Sequence, residues 1–447
     1  MSAEHSARSV SHAEGVDPVR ALQRVLYRSA KLDPTRRFHA LYDKVARSDV
    51  LWRAWVEVAK NKGAPGVDGV SIASISDGGA NGVKVFLDGL AAQLLAKTYR
   101  PKPLRRVHIP KPGKPGETRP LGIPCVADRV VMTAAKIVLE PIFEADFSPQ
   151  SFGFRPKRST HQALEVIRVT ANRGANWVLD ADIKACFDEI DHEALMAQVE
   201  RRVVDRQMLK LLRVWLRAGV FEGGLVTDTE SGTPQGSPIS PLLANIALHV
   251  IDEAWAKAAT LGTLVRFADD FVVLTTSRSR AEEVKRRIEA VLVGLGLRLH
   301  PDKTRIVFIG DGTDGFDFLG FTHRKTPSKF GDRRYLSKWP SPRAMASIRA
   351  NIRDHTERRL AGRELQGVVA DLTPVLRGWG AYFRYGNSNR QFAAIDSYVH
   401  LRMSKLASVK YATRYRLRAS RFNHAWLTEL GIYRLTGRVR RWGPAHA

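Results

Sequence analysis

The chain contains little cysteine, with Cys125 and Cys186 the only two in 447 residues. They lie in separate motifs, and neither forms a Cys-x-x-Cys pair or has histidine at the spacing of a zinc ligand set. The sequence therefore argues against a disulfide framework and against a zinc finger. A reducing intracellular compartment fits this cysteine usage.

Long apolar runs are also missing. No stretch approaches the roughly 20 apolar residues that span a bilayer, and the N-terminus has no apolar segment typical of a signal peptide. The chain has no low-complexity tract either, and 44% of its residues are hydrophobic. At this length we expect a globular protein of two or three domains with buried cores and without a membrane partner.

Negative charge is in short supply. The sequence has 71 Lys and Arg against 45 Asp and Glu, a net charge of +26 and a pI near 10.4. Such an excess predicts a polyanionic partner that is bound largely through phosphate neutralisation and counterion release. The excess is uneven, because residues 341–447 hold 20 Lys and Arg against 6 Asp and Glu. We expect a nucleic-acid-binding module there.

The most informative feature that is present is a pair of adjacent carboxylates, Asp269 and Asp270, in the sequence Phe-Ala-Asp-Asp. Apolar runs rich in Val, Leu and Phe flank it at 264–265 and 271–274, which predicts a hairpin with the aspartates at its turn. Alone, two aspartates at a hairpin tip indicate only a solvated turn, because Asp tolerates tight turns and prefers water.

A second carboxylate motif lies upstream, where the apolar strand 177–179 runs into Asp180 and Asp182. Carboxylates from two separate strands can converge on a pair of Mg²⁺ ions, which prefer oxygen ligands and stabilise the attacking and leaving oxygens of a phosphoryl displacement. The two motifs together indicate polymerase chemistry.

Two segments rich in Pro and Gly complete the pattern. Residues 233–243 form a loop that opens an apolar helix between the two carboxylate motifs. Residues 100–124 contain two strand-like arms joined by a Pro/Gly turn. Three cations would lie near that turn, where they can either close on a triphosphate or form a solvated basic loop: Lys111, Lys114 and Arg119.

The order of strand carboxylate, Gln-Gly loop and paired aspartates resembles the palm of a reverse transcriptase. Four further segments resemble, in order and spacing, the proteins encoded by bacterial group II introns, and the likeness runs from about Leu41 to the C-terminus. These segments are RPLGIP at 119–124, SFGFRPKRS at 151–159, FLGF at 318–321 and GWGAYFRYGN at 378–387.

This resemblance implies an α+β right-hand polymerase with fingers, palm and a helical thumb. The expected division is a flexible leader and helical extension at 1–60, fingers and palm at 61–335, a thumb or maturase (X) domain at 340–420, and a basic tail at 421–447. Strand and helix patterns alternate to about residue 325, whereas 340–447 shows long amphipathic runs and few strand signals.

The function implied by the resemblance is an RNA-directed DNA polymerase that also binds group II intron RNA and assists its splicing and mobility. Two Mg²⁺ ions are the implied cofactor, and the implied partners are intron RNA, a DNA target with its primer, and dNTPs. The implied location is the bacterial cytoplasm, with association to the nucleoid when the protein acts on DNA. The oligomeric state stays open.

The resemblance also assigns residues. Asp182, Asp269 and Asp270 match the catalytic, metal-binding carboxylates, with Asp269 the stronger candidate of the pair, and the Ile183 carbonyl is a further candidate ligand. Asp180 shares the strand face of Asp182 but matches no ligand position.

Other matched positions concern the substrate. Phe187 matches the ring on which the deoxyribose packs and which leaves no room for a 2′-hydroxyl, although a phenylalanine is more often a core residue. Gln235 matches a residue near the incoming sugar and template, and Lys303 matches a lysine that protonates pyrophosphate, with a plain surface lysine as the alternative. The primer grip matches Phe318, Leu319, Gly320 and Phe321.

The basic last quarter supplies the expected RNA contacts, which we interpret as arginines that reach phosphates or unpaired bases. They are Arg377, Arg384, Arg414, Arg416, Arg418, Arg421, Arg438, Arg440 and Arg441. For Trp379 and Phe383, aromatic residues at helical spacing, we expect a core role instead.

The sequence departs from the family pattern in two places. Phe267 stands where a tyrosine is commoner before Ala-Asp-Asp, and we expect no Cys/His-bearing endonuclease domain, so that insertion would need a primer cut by another enzyme. Two other functions stay open at this point: an RNA chaperone with a disused palm, and a reverse transcriptase domesticated for defence or repair.

Overall fold

The computed structural model describes residues 17–110, 116–222, 225–227, 232, 236–328, 331–412 and 421–440. The predicted N-terminal extension is helical. Asp17 caps the first helix by accepting hydrogen bonds from two backbone N–H groups, and its carboxylate pairs with Arg53 of the third helix, which fixes these two helices to each other. The helices of this part are α1 (Pro18–Leu32), α2 (Tyr42–Val45), α3 (Ser48–Lys60), α4 (Ile72–Ser76) and α5 (Gly79–Leu95).

A four-stranded sheet with the order β2-β1-β4-β5 follows. Its strands are β1 (Leu104–Pro110), β2 (Thr118–Ile123), β4 (Val220–Glu222) and β5 (Leu225–Thr227). The two arms of the predicted basic hairpin are β1 and β2, which pair antiparallel with Arg105 opposite Ile123 and Ile109 opposite Arg119. The turn between them, which carries Lys111 and Lys114, lies outside the described residues.

Helices α1 and α3 pack against α6, whose side chains are almost all buried. Five helices then lead toward and around the central sheet. They are α6 (Val126–Glu144), α7 (Thr160–Asn172), α8 (Cys186–Glu189), α9 (His192–Glu200) and α10 (Arg206–Leu216).

The central sheet is antiparallel and has the order β6-β7-β3-β8. Its elements are β3 (Trp177–Asp182), β6 (Thr263–Phe267), β7 (Asp270–Thr275) and β8 (Arg305–Phe308), with the helices α11 (Ser240–Lys257) and α12 (Arg278–Val293). Successive residues of a strand face opposite sides. Val178 therefore joins a core that includes α7, whereas Leu179 joins the core beneath α11 and α12. The predicted hairpin is present as β6 and β7.

The C-terminal part combines a small sheet with helices, and from Pro342 onward its described elements are helical, as predicted. The strands and α-helices of the whole C-terminal part are β9 (Gly315–Phe318), β10 (Phe321–Pro327), β11 (Arg334–Pro340), α13 (Pro342–Asp354), α14 (Leu365–Phe383), α15 (Asn389–Lys410) and α16 (His424–Glu429). Within the expected tail, residues 421–440 are packed against these helices, because Phe422 and Leu435 are buried in their core and Asp396 accepts hydrogen bonds from the backbone of Leu435 and Thr436. None of the described helices is long and apolar enough to span a membrane.

Candidate active site

Strand pairing brings the predicted carboxylates together. Asp182 is the last residue of β3 and lies directly opposite Asp270, the first residue of β7. Side chains of directly opposed residues on antiparallel strands have Cβ atoms about 4.5–5.5 Å apart. Asp269 precedes Asp270 in the turn, so all three carboxylates are at one end of the central sheet.

The turn at residues 267–270, which we call the catalytic turn after the role proposed for it below, is held in an unusual backbone conformation. Ala268 has φ +58°, a left-handed value that costs a non-glycine residue free energy and persists only where its surroundings impose it. Two neighbours impose it. Gly153 lies so close beneath the turn that a Cβ there would be 2.8 Å from the Phe267 carbonyl carbon and would overlap the Ala268 nitrogen.

The second neighbour is Arg266, which the sequence did not reveal. Its side chain is fully buried, and its guanidinium donates to both carboxylate oxygens of Asp252 at 3.0 and 2.5 Å. Nη1 donates to the Ala268 carbonyl and to Asn245 Oδ1, each at 3.1 Å. The Asn245 amide in turn donates to the Gly153 carbonyl at 2.8 Å. One network thus joins α11, the 151–159 motif and the catalytic turn.

Electrostatics set these carboxylates apart from ordinary surface aspartates. Burial raises the pKa of Asp269, and the charge of Asp182 adds to the rise. The Asp270 side chain is exposed, but the protein around it removes enough water to raise its pKa to about 7, with further increases from the charges of Asp269 and Asp182. The three carboxylates repel one another, so the site favours a bound cation.

Protein cations already lie beside two aspartates of β3. The Lys303 ammonium, on an exposed side chain, is paired with the Asp182 carboxylate. Arg305 pairs with Asp180 at 3.1 Å, and burial raises the pKa of Asp180 to about 6 in spite of that partner. Asp180 therefore has a protein cation of its own, whereas Asp270 has no ion-pair partner in the described part of the chain.

The donor chemistry at this end of the sheet suits Mg²⁺, which prefers carboxylate and carbonyl oxygens. The Asp182 carbonyl accepts a hydrogen bond from His300, so strand alternation turns the Ile183 carbonyl to the other side, toward β7. Across the described ranges, no three His, Cys, Asp or Glu side chains stand close enough together to form a ready-made metal site. In this arrangement, the Lys303 ammonium supplies the positive charge beside Asp182.

The wall beside the carboxylates comes from α8 and the Gly-rich loop. Phe187 is half-buried and packs against the main core, so the structure allows both the core role and contact with the site. A Cβ on Gly232 would meet the Phe187 carbonyl at 2.8 Å, and one on Gly236 would meet the Gly122 carbonyl of β2 at 2.6 Å. Gly232 therefore lies against α8, and Gly236 lies against the basic hairpin. Gln235 lies outside the described residues, and Arg119 is exposed on β2.

The predicted primer grip is a tight turn between β9 and β10. Leu319 and Gly320 both have positive φ, +50° and +78°, and the Tyr382 hydroxyl donates to the Leu319 carbonyl at 2.8 Å. Phe318 and Phe321 are buried in the core between the sheet and α14. The backbone of the turn, rather than its rings, is therefore the part that can contact a strand.

Four of the predicted RNA-binding arginines lie close together. Arg377 and Arg438 both lie over the Tyr433 ring, at 5.4 and 4.3 Å from its centroid. Arg384 donates to the Tyr385 hydroxyl at 2.6 Å, and its carbonyl accepts from the Arg440 backbone. Phe383 is buried and Trp379 is packed against the same core, in agreement with the core role expected for both.

Arg421 lies apart from that group, over the rings of Tyr411 and Phe422 at 5.3 and 5.4 Å. The remaining predicted RNA contacts are outside the described residues. They are Arg414, Arg416, Arg418 and Arg441.

The fold and the opposed carboxylates define a template-directed nucleotide polymerase. Residues 109–323 match the family model for reverse transcriptase (RNA-dependent DNA polymerase), and residues 345–426 match the group II intron maturase-specific domain. The chain belongs to the family of group II intron-encoded reverse transcriptases, which are RNA-directed DNA polymerases that carry a maturase domain.

Individual relatives agree with this assignment. Protein YkfC of Escherichia coli K12 is 34% identical over 363 residues, which is 72% of this chain and 93% of YkfC. The group II intron-encoded protein LtrA of Lactococcus lactis is 40% identical over 217 residues, 48% of this chain and 35% of LtrA. The match therefore spans about a third of LtrA.

Two solved structures align with the chain at lower similarity. A telomerase from Candida albicans aligns with a TM-score of 0.41 at 12% identity, covering 71% of this chain and 63% of the telomerase chain. A partial Cas6-RT-Cas1–Cas2 complex aligns with a TM-score of 0.36 at 24% identity, covering 57% and 41%.

Proposed function

We propose that the opposed carboxylates Asp182 and Asp270, with Asp269 between the strands, are the centre at which this protein extends a DNA primer on an RNA template. The observation that carries the proposal is their register: β3 and β7 place two carboxylates face to face at a sheet end where burial and mutual repulsion disfavour three negative charges. An end of this kind is suited to a cationic cofactor and a polyphosphate substrate.

The proposed cofactor is Mg²⁺, as two ions, held by Asp182, Asp269, Asp270 and the Ile183 carbonyl. When bound, it would neutralise charge on the attacking and leaving oxygens of the phosphoryl transfer. Asp180, which pairs with Arg305, is outside this set because it matches no ligand position in the family pattern.

The chain's own side chains have separate tasks in the proposal. Lys303, which is mostly exposed and paired with Asp182, would hold a proton near the departing pyrophosphate. Phe187 closes the wall where a 2′-hydroxyl would stand and so favours dNTPs. The triphosphate contacts are assigned to Lys111, Lys114, Arg119 and Gln235, of which Arg119 lies within the described residues, exposed on β2.

The proposed RNA partner is a group II intron RNA, bound by the C-terminal arginines while the protein assists splicing and mobility. The cluster of Arg377, Arg384, Arg438 and Arg440 supports this role, because three of its arginines are exposed and two of these lie over the half-buried Tyr433 ring. Cations so placed suit phosphates and unpaired bases. The DNA target and primer would meet the turn at Gly320. The proposed location is the bacterial cytoplasm, beside the nucleoid when DNA is the target.

The test is extension of a DNA primer on an RNA template with Mg²⁺ and dNTPs, for the wild type, Asp182→Ala and Asp269→Ala. We expect extension by the wild type and loss of extension in both variants, with RNA affinity unchanged. Asp302→Ala, which removes an exposed carboxylate beside Lys303, is the control and keeps extension. Undiminished extension by Asp269→Ala contradicts the assigned site, and tight RNA binding without extension by the wild type favours an RNA chaperone.

A further inference from the structure

A cavity of about 530 Å³ lies where the small sheet β9-β10-β11 meets the maturase-type helices, away from the catalytic turn. We call it the Lys338 pocket. Its walls come from α7, from β11, from the loop that follows α14 and from the C-terminal segment. The walls are held together tightly: the Lys338 carbonyl accepts from the Asn387 backbone at 2.6 Å, and a Cβ on Gly386 would meet that carbonyl at 2.6 Å.

The side chain of Lys338 is the unusual feature of this pocket. The residue is 5% exposed, and within the described part of the chain its ammonium nitrogen has no hydrogen-bond partner. It lies 5.9 Å from the centroid of the Phe321 ring, which does not replace a hydrogen-bond acceptor. A buried ammonium without an acceptor is costly, and burial accordingly lowers its pKa to about 8.

The acceptors that line the pocket are already engaged. Glu165, the one acidic residue in its wall, forms a two-bond pair with Arg168 at 2.9 and 2.6 Å. Asn172 Oδ1 accepts from the Leu336 backbone, and Asn387 Oδ1 accepts from the Lys338 backbone. The two amide NH₂ groups therefore remain as donors in the wall that Lys338 also lines. A wall of donors with its acceptors occupied is suited to an anion.

The size and position of the pocket indicate which anion. Its volume exceeds that of a single phosphate and is adequate for a nucleotide unit, and Tyr335, which is 40% exposed, gives the rim an aromatic surface. Arg440 lines this pocket and also a smaller cavity beside Arg384 and Arg438. The pocket is thus continuous with the arginine group that the proposed function assigns to RNA.

We propose that the Lys338 pocket receives a backbone phosphate of the bound RNA, with the Lys338 ammonium as its principal donor and the adjoining nucleotide against Tyr335. This proposal rests on the proposed function, since it takes RNA as the partner. It adds an RNA contact in β11, which precedes α14 and the C-terminal segment that carry the arginines.

The test compares Lys338→Met with the wild type in RNA binding. The probe is a fluorescein-labelled single-stranded RNA, titrated by fluorescence anisotropy between about 50 and 200 mM salt. We expect binding about tenfold weaker, as for the loss of one charged hydrogen bond, and a plot of log K against log salt that is shallower by about 0.7, the value for one phosphate contact on a single strand. The matched control is Lys325→Met, because Lys325 is similarly buried on β10 but donates to Asn176 Oδ1 at 2.6 Å.

Equal affinities and slopes for Lys338→Met and the wild type overturn the proposal. Tyr335→Ala, at the exposed rim, serves if Lys338→Met does not fold. Because it removes an aromatic surface and no charge, weaker RNA binding with an unchanged slope is expected of it, and unchanged affinity overturns the proposal. A melting temperature that inorganic phosphate raises in the wild type but not in Lys338→Met, together with an unchanged RNA slope, assigns the pocket to free phosphate and also overturns the proposal. Wild-type primer extension is measured in parallel, so that failure of the proposed function is seen separately.

Discussion

Replacing Arg266 with methionine tests how the catalytic turn is held. The substitution removes the guanidinium but keeps a long side chain in a site that is fully buried. It deletes both bonds to Asp252 and the bond from Nη1 to the Ala268 carbonyl. Although burial alone would raise the pKa of Asp252, Arg266 holds it below its ordinary value, so the variant leaves a buried carboxylate without its main cation.

Two separate effects follow, with different magnitudes. Removing one partner of a buried ion pair costs about 3–5 kcal/mol of stability, whereas replacing both partners by neutral groups costs far less. The left-handed Ala268 stores about 1 kcal/mol of backbone strain, and without the Nη1 bond the turn can relax. A shift of about 1 Å in a reacting group lowers a rate on the order of 100-fold.

The double variant Asp252→Asn with Arg266→Met separates these effects. We expect it to recover most of the melting temperature lost in Arg266→Met, while single-turnover primer extension stays slow in both. The control is Arg201→Met, which breaks an exposed ion pair with Glu253, the residue after Asp252 on α11. It should leave the melting temperature and the extension rate nearly unchanged. Recovery of the extension rate together with stability would refute the positioning role.

Three further predictions concern other parts of the chain. Gly153→Ala pushes a methyl group into the turn and should slow extension on the order of 100-fold, measured by single-turnover kinetics; Gly89→Ala, with open space around it, is the control and should not slow it. Burial raises the pKa of Asp128 to about 6, so its ionisation lowers the stability of the fold as pH rises from about 4 to 6. In thermal melts over this pH range, the melting temperature of Asp128→Asn should decline less than that of the wild type. Phe187→Ala should raise the ratio of ribonucleotide to deoxyribonucleotide incorporation in paired extension assays, whereas a pure core role would lower both rates equally.

The strands that carry the aspartates were predictable because they depend on local patterns. Val, Leu and Phe on both sides of Asp269 and Asp270 specify a hairpin, and the apolar run before Asp182 specifies a strand. The register that sets Asp182 opposite Asp270 was not predictable in this way, since it depends on the alignment of two strands about 90 residues apart.

Contacts made by single polar residues could not be predicted from sequence patterns. Arg266 interrupts an apolar strand one residue before the Phe-Ala-Asp-Asp motif, which was a signal that it has a buried partner, but its partner Asp252 is on a different element. Lys338 gave no such signal, because an isolated lysine is ordinarily a surface residue. The packing of residues 421–440 was masked by their charge, although Phe422, Ile432 and Leu435 supply enough apolar surface to anchor them.

The conformation of the catalytic turn explains the presence of Gly153, Asn245 and Arg266 in the segments around it. The turn must hold two carboxylates next to a third although all three repel one another, and a flexible turn would let them separate. Gly153 allows backbone to pack beneath Ala268, Asn245 links that backbone to Arg266, and Arg266 returns a hydrogen bond to the Ala268 carbonyl. Because Arg266 forms its ion pair with Asp252, Arg266 fixes the turn without forming an ion pair with Asp269 or Asp270. Those two carboxylates therefore remain available to a cation from solution.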